Sequence, residues 1–266
     1  MNTAAHHQIG IEVGGLPVLV HTQDQKFCDQ LAKYYAGFVS HSGVARFHFE
    51  VEQLAQAPDP GAEISVEVRD GIWSVRRADF TAECNPSAGS AKIRQSAGTH
   101  SFDSVLRIIH TLALADEGGF LLHAASALRN GRAFIFSGVS GAGKTTLARM
   151  APSDATILTD EVSYVRRLDG RFEACGTPFA GELARAGANT SAPVDTLLFL
   201  QQGPENRIEE MNKQEALQRL LRNILFFAAD PGLVSKLFET ANKFLESIPV
   251  RRLTFRPEPD VWSLIQ

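Results

Sequence analysis

The sequence predicts an α/β protein in two parts: a small α+β domain over residues 1–98, then a P-loop domain with a mixed sheet over residues 99–266. Three observations carry this reading. Up to residue 98 the chain reads as short alternating strands broken by turn signals, with one helix among them. From Ser101 the texture changes to a helix-periodic segment followed by longer apolar strands. One of those strands runs into the glycine-rich loop GVSGAGKTT, and a helical stretch follows it.

Composition bounds the rest. The 266 residues are 44% hydrophobic with a net charge of −4, an ordinary soluble composition that argues against duplex nucleic acid as a partner. No apolar run reaches the ~18 residues a membrane span needs, and MNTAAHHQIG lacks the apolar core of a signal peptide. A cytoplasmic protein without a membrane partner is expected, and the composition leaves a homo-oligomer open. Cys28, Cys84 and Cys175 are too widely spaced for a metal cluster or a disulfide framework and read as reduced thiols. His6 and His7 read as part of a frayed tail.

In the first part, IGIEVGGLPVLVH reads as a hairpin turning at Gly14-Gly15, and RFHFEVEQL alternates with period two. ISVEVRDGIWSVRR is the clearest hairpin, with Asp70-Gly71 at its turn. A helix is expected from about Asp24 to Val39, and APDPGAE and NPSAGSA read as loops. Nothing in this part looks chemical.

In the second part, Phe102, Val105, Ile109 and Leu112 recur at helical spacing in a segment that stops at Gly118-Gly119. His110 within it reads as a surface or satisfied core histidine. The strands FLLHAASAL and RAFIFSG follow, separated by Arg129-Asn130-Gly131, so antiparallel pairing is expected. After the glycine-rich loop come the helix TTLARM, the strand ATILT, a hairpin turning at Asp169-Gly170 and the buried strand LLFL. Asn212 and Glu215 form a capping-box pattern, Asp230-Pro231 opens another helix, and RRLTF closes as a strand.

The loop matches the P-loop pattern in full: Gly138, four residues, then Gly143, Lys144 and Thr145. A polyphosphate must be held by inward-pointing backbone N–H groups, which demands small residues and positions of positive φ. Gly138, Ser140, Gly141, Ala142, Gly143, Lys144, Thr145 and Thr146 are therefore the candidate nucleotide-binding residues. Lys144 is placed to reach the β and γ oxygens and Thr145 to ligate Mg²⁺. The expected ligands are ATP and Mg²⁺.

A P-loop alone says only that a nucleotide binds. The acidic pair Asp160-Glu161, at the end of ATILT, adds a second element. A carboxylate there suits either a second Mg²⁺ partner or a base accepting a hydroxyl proton. The pair follows Thr145 by only one short helix and one strand, closer than in motor and switch NTPases. His123 lies in LLHAAS, the strand before the P-loop strand; taken alone, a histidine there is usually a core residue.

HAAS, GVSGAGKTT and LTDE, in this order, resemble the catalytic domain of HPr kinase/phosphorylase, a fold shared with ATP-dependent phosphoenolpyruvate carboxykinases. The resemblance covers roughly residues 118–185 and implies a phosphoenolpyruvate carboxykinase-like P-loop fold. It implies an ATP-dependent kinase that transfers the γ-phosphoryl group to a hydroxyl, usually serine, of a protein or peptide. By the same resemblance Asp160, His123 and Lys144 are the catalytic residues, and Thr145, Asp160 and Glu161 hold the metal. CGTPFAGEL and the helix beyond it look like HPr-kinase-like proteins of unassigned substrate, relatives that include kinases of ribosomally made peptides.

The sequence departs from that family at His123-Ala124, where the family has histidine-glycine, at Asp160-Glu161, where it has two aspartates, and at Thr145, where it usually has serine. Its arginine-rich signature and later glycine-rich loop are missing, so neither HPr as substrate nor phosphorolysis is implied. Arg185 and Arg222 read as surface arginines, and Arg166-Arg167 and Arg251-Arg252 as solvated strand edges. A small-metabolite kinase and a nucleotide-dependent regulatory protein remain the alternatives; a carboxykinase would need a longer chain.

Overall fold

The computed structural model describes residues 6–54, 63–183 and 186–266. The chain is mixed α/β with large mixed sheets, and it divides into two compact units, Met1–Ala113 with Phe226–Val234, and Leu114–Leu225 with Ser235–Gln266.

The first unit is built on alternation. Strands β1 (His7–Val13) and β2 (Leu16–Thr22) pair antiparallel around Gly14 and Gly15, both at positive φ. Helix α1 (Gln25–Tyr34) is N-capped by Asp24, whose side chain accepts from the Phe27 N–H. It is shorter than the sequence suggests, passing into a 3₁₀ turn before β3 (Val39–Ser40). Then come β4 (Phe47–Leu54), β5 (Ser65–Arg69), β6 (Ile72–Arg77), β7 (Phe80–Asn85) and β8 (Ser90–Ser96). Among the described residues these make an eight-stranded sheet ordered β3-β1-β2-β4-β8-β7-β6-β5. Asp70 and Gly71, at φ 50° and 76°, form the tight turn expected between β5 and β6. Most of the APDPGAE segment lies outside the described residues.

Helix α2 (Thr99–Glu117) ends at Gly118, which takes φ 83°. The Phe102 ring lies 6.0 Å from those of Phe27 and Tyr35 and 6.3 Å from Phe49, binding helix to sheet. His110 is fully buried, which settles it as a core residue. His7 is not part of a frayed tail: it begins β1, paired with Thr22.

In the second unit the elements are β9 (Phe120–Arg129), β10 (Arg132–Ser137), α3 (Lys144–Arg149), β11 (Ala155–Thr159), β12 (Val162–Leu168), β13 (Arg171–Cys175) and β14 (Ser191–Gln202). They continue with β15 (Arg207–Glu210), α4 (Lys213–Asn223), β16 (Ile224–Leu225), α5 (Pro231–Ser247) and β17 (Val250–Phe255), and a 3₁₀ turn follows at Pro259–Leu264. The strands run in the order β10-β9-β12-β13-β14-β17-β15, and β10 also pairs parallel with β14, so the sheet closes on itself.

Strand β9 organises this unit because it changes partners midway. Its later half, Ala124–Arg129, pairs with β10 on one side and, from Ser126, with β11 on the other. Its first half pairs with β12, and with the short β16 on the side where β10 has ended. The exchange falls at His123: Ser137 opposite Ala124 is the last β10 pair, and Val162 opposite His123 is the first β12 pair. The core beneath contains Phe134, Phe136, Leu147, Leu198, Phe255 and Trp262. Arg252 is not a solvated strand edge, since it pairs with Glu215; Arg166 is likewise half-buried against Glu173.

Candidate phosphate-binding site

The loop between β10 and α3 leaves the sheet where β9 exchanges partners. Its shape follows from its small residues. Gly141 and Gly143 take φ 78° and 103°, a region costly for other residues. A Cβ on Gly143 would also lie 2.6 Å from the Phe255 ring. A turn closes with the Ala142 N–H donating to the Val139 carbonyl at 3.0 Å, while Val139, Ser140 and Gly141 stay exposed.

Residues distant in sequence hold this loop. The Gln202 amide, at the end of β14, donates to the Gly141 carbonyl at 2.8 Å. Trp262 Nε1 donates to the Leu147 carbonyl at 3.1 Å and pins α3 from below. Helix α3 has only six residues, so it offers backbone amides rather than a long macrodipole.

The Lys144 side chain is 8% exposed, and its ammonium donates to the carbonyls of Gly138 (3.1 Å) and Val139 (3.4 Å). It makes no ion pair among the described residues, so a buried cation is held by loop carbonyls alone. Burial depresses its pKa, against the opposing pull of Glu161 and Glu182. Thr145 and Thr146 lie half-buried in the first turn of α3.

Asp160 and Glu161 occupy the break between β11 and β12, and their surroundings differ. Asp160 is 2% exposed, and each carboxylate oxygen accepts a backbone N–H, from Gly181 at 3.1 Å and Leu183 at 2.8 Å. Glu161 keeps its main chain in register, accepting from the Ala124 N–H, while its side chain remains one third exposed. One Glu161 oxygen stands 3.5 Å from His123 Nδ1. Burial lowers the His123 pKa, the nearby Lys144 charge lowers it further, and Glu161 opposes both.

The structure thus gathers Lys144, His123 and Glu161 into one electrostatic neighbourhood, with Thr145 and Thr146 beside Lys144 and with Asp160 directed into the 181–183 turn. Arg185 lies outside the described residues. Sequence reasoning missed Glu182, Gln202, Phe255 and Trp262. None sits in a recognisable motif, although Glu182 lies within the CGTPFAGEL segment noted above.

These residues fit a magnesium–nucleotide. A buried cation without a carboxylate partner is costly unless an anion reaches it. No cluster of three or more His, Cys, Asp or Glu residues suited to a metal occurs among the described residues. Mg²⁺ needs none, because it binds through one or two side chains together with phosphate oxygens and water.

A family model described as "SynChlorMet cassette protein ScmC" matches residues 90–229, just over half of the chain. The chain belongs to the ScmC family. The matched span carries the P-loop, the acidic pair, Glu182 and Gln202 of this ScmC-family protein, and stops short of Phe255 and Trp262. No curated protein matches the chain. The chain is also similar to the solved structure of the Hpr(Ser) kinase/phosphatase from Coxiella burnetii, at 13% identity, 47% coverage of this chain, 92% of that one, and a TM-score of 0.26. A likeness that loose transfers no residue role. The family match is to ScmC, so the HPr-kinase resemblance expected from the sequence is met only by that loose likeness. No helix among the described residues is long and apolar enough to cross a membrane.

Proposed function

We propose that this protein is an ATP-dependent kinase with a phosphoenolpyruvate carboxykinase-like P-loop fold, transferring the γ-phosphoryl group to a hydroxyl of a protein or peptide. In this reading residues 99–266 are the catalytic part, residues 1–98 an accessory domain, and the protein works in the cytoplasm. The observation that carries it is the buried Lys144 ammonium, held by loop carbonyls and within electrostatic reach of Glu161 and His123. A regulatory nucleotide site needs the cation and the loop. It has no need of an accessible carboxylate and an imidazole beside them.

The division of labour follows from exposure. Gly138 to Gly143 present amides to the phosphates, and Lys144 neutralises charge that grows on the transferred group. Thr145 and a carboxylate of the Asp160-Glu161 pair would hold Mg²⁺, which would help neutralise the phosphate charge. Glu161, being reachable, accepts the proton as the acceptor O–H bond breaks and a new O–P bond forms. The bond from the γ phosphorus to its bridging oxygen breaks, and ADP leaves. His123 accepts or donates a hydrogen bond beside the transferred group.

The test is transfer of label from γ-labelled ATP to components of a cell lysate, comparing wild type with Glu161→Gln. An acid-stable labelled protein or peptide made by wild type, and made about 10²–10⁴-fold more slowly by the variant, is expected. Label found only in a small metabolite moves the acceptor class. No transfer to any hydroxyl, with nucleotide still bound, leaves a regulatory protein.

A further inference from the structure

Whereas its neighbour at 161 is one third exposed, the acid at position 160 is buried. Both of its oxygens are already satisfied by main-chain N–H groups of the turn at Gly181–Leu183, and it is 2% exposed. Two N–H donors on one carboxylate form a charge-assisted clamp, stronger than a pair of neutral hydrogen bonds. The residue between those donors is Glu182, whose side chain is exposed.

The approach is too close for any residue but glycine at 181. A Cβ there would stand 2.8 Å from Glu161 Cβ and 2.9 Å from the Asp160 carboxylate. Further along, the same segment is anchored by its backbone: the Thr177 N–H donates to the Leu158 carbonyl, and Ala188 to that of Ile157. The two ends of the loop are thus tied to β11, and Asp160 sets where its middle stands.

We infer that Asp160 is a positioning residue, a latch that holds the Gly181–Leu183 turn and with it the main chain that carries Glu182. The inference rests on the nucleotide reading above for its functional half only. Glu182 and Glu161 both oppose the fall that burial imposes on the Lys144 pKa, so the charge at 182 is felt at the lysine. An amide at 160 would keep one of these bonds and lose the other, because its NH₂ cannot accept from a facing N–H.

The test uses the full chain and two variants that share no acid–base chemistry, Asp160→Asn and Gly181→Ala. Backbone hydrogen exchange across residues 177–190 is expected to quicken about ten-fold or more in both, with little change in β9 or β10. Unchanged exchange in Asp160→Asn overturns the latch.

The second readout is Mg-ATP affinity in a cycle of Asp160→Asn and Glu182→Gln. If Asp160 acts through Glu182, the Glu182→Gln effect shrinks by about three-fold or more in the Asp160→Asn background. Additive effects overturn the coupling even where exchange quickens. If wild type does not bind Mg-ATP at all, the nucleotide reading fails together with this functional half, while the exchange comparison still decides the latch.

Discussion

His123 Nδ1 and Glu161 Oε1 stand 3.5 Å apart at the point where, along one edge of β9, β12 takes over from β11. Val162, next to Glu161, is the residue paired with His123, so strand register rather than loop conformation sets the approach. Lys144 acts on the same imidazole with opposite sign.

The first prediction follows from those signs. Lys144→Met removes a charge that disfavours the imidazolium, so the His123 pKa should rise. Glu161→Gln removes one that favours it, so the pKa should fall. Titrating the His123 ring protons by NMR in the three proteins checks both directions. Shifts of the same sign in the two variants would contradict this geometry.

Gly143→Ala is expected to destabilise the protein by about 1–3 kcal/mol, because its φ of 103° suits glycine and the new Cβ would meet the Phe255 ring. Denaturant unfolding measures the loss, and the stabilisation by Mg-ATP should vanish with it. Phe255→Ala would relieve the contact but empty the core, so it should not rescue stability.

Gln202→Leu tests the far support of the loop. It removes the donor to the Gly141 carbonyl at an exposed position, so the melting temperature should change little. Mg-ATP affinity should fall by several-fold, because the loop amides are no longer held in place. A large loss of stability with unchanged affinity would assign Gln202 to the fold instead.

His110 gives a pH dependence with a defined sign. Burial lowers its pKa to about 3, against 6.5 for an unperturbed histidine, so the unfolded chain binds the proton more readily. The stability it contributes is complete above pH 6.5 and is lost as pH falls towards about 3, by at most about 4–5 kcal/mol. Denaturant unfolding of wild type and His110→Leu at several pH values should show a steeper acid loss in wild type. Parallel curves would mean that His110 is not held neutral in the folded state.

What could be read from the sequence was local. The strand–loop–helix run from β10 to α3, the β9–β10 hairpin and the turn at Asp70-Gly71 each depend on a dozen contiguous residues, and the structure has them in place. The partner exchange along β9 was not legible, since Val162, Ile224 and Ser137 converge on it from separate segments. Nor was the difference between Asp160 and Glu161, adjacent acids that only the 181–183 turn tells apart. The capping box was half right: Asn212 accepts from the Glu215 N–H, but Arg219 and Arg252 engage the Glu215 carboxylate. A partner on a distant strand overrode the local pattern.

Calorimetric titration of Mg-ATP into wild type and Lys144→Ala tests the central claim most directly. The variant should keep the wild-type circular dichroism spectrum, since the Lys144 ammonium makes no ion pair among the described residues and bonds only to the loop carbonyls of Gly138 and Val139. Saturable binding is expected in wild type, weakened about a hundred-fold or more in the variant as the loop's one buried cation is lost. Equal heats and equal affinity in the two folded proteins would contradict the account, because nucleotide would then be held somewhere other than the loop around Lys144.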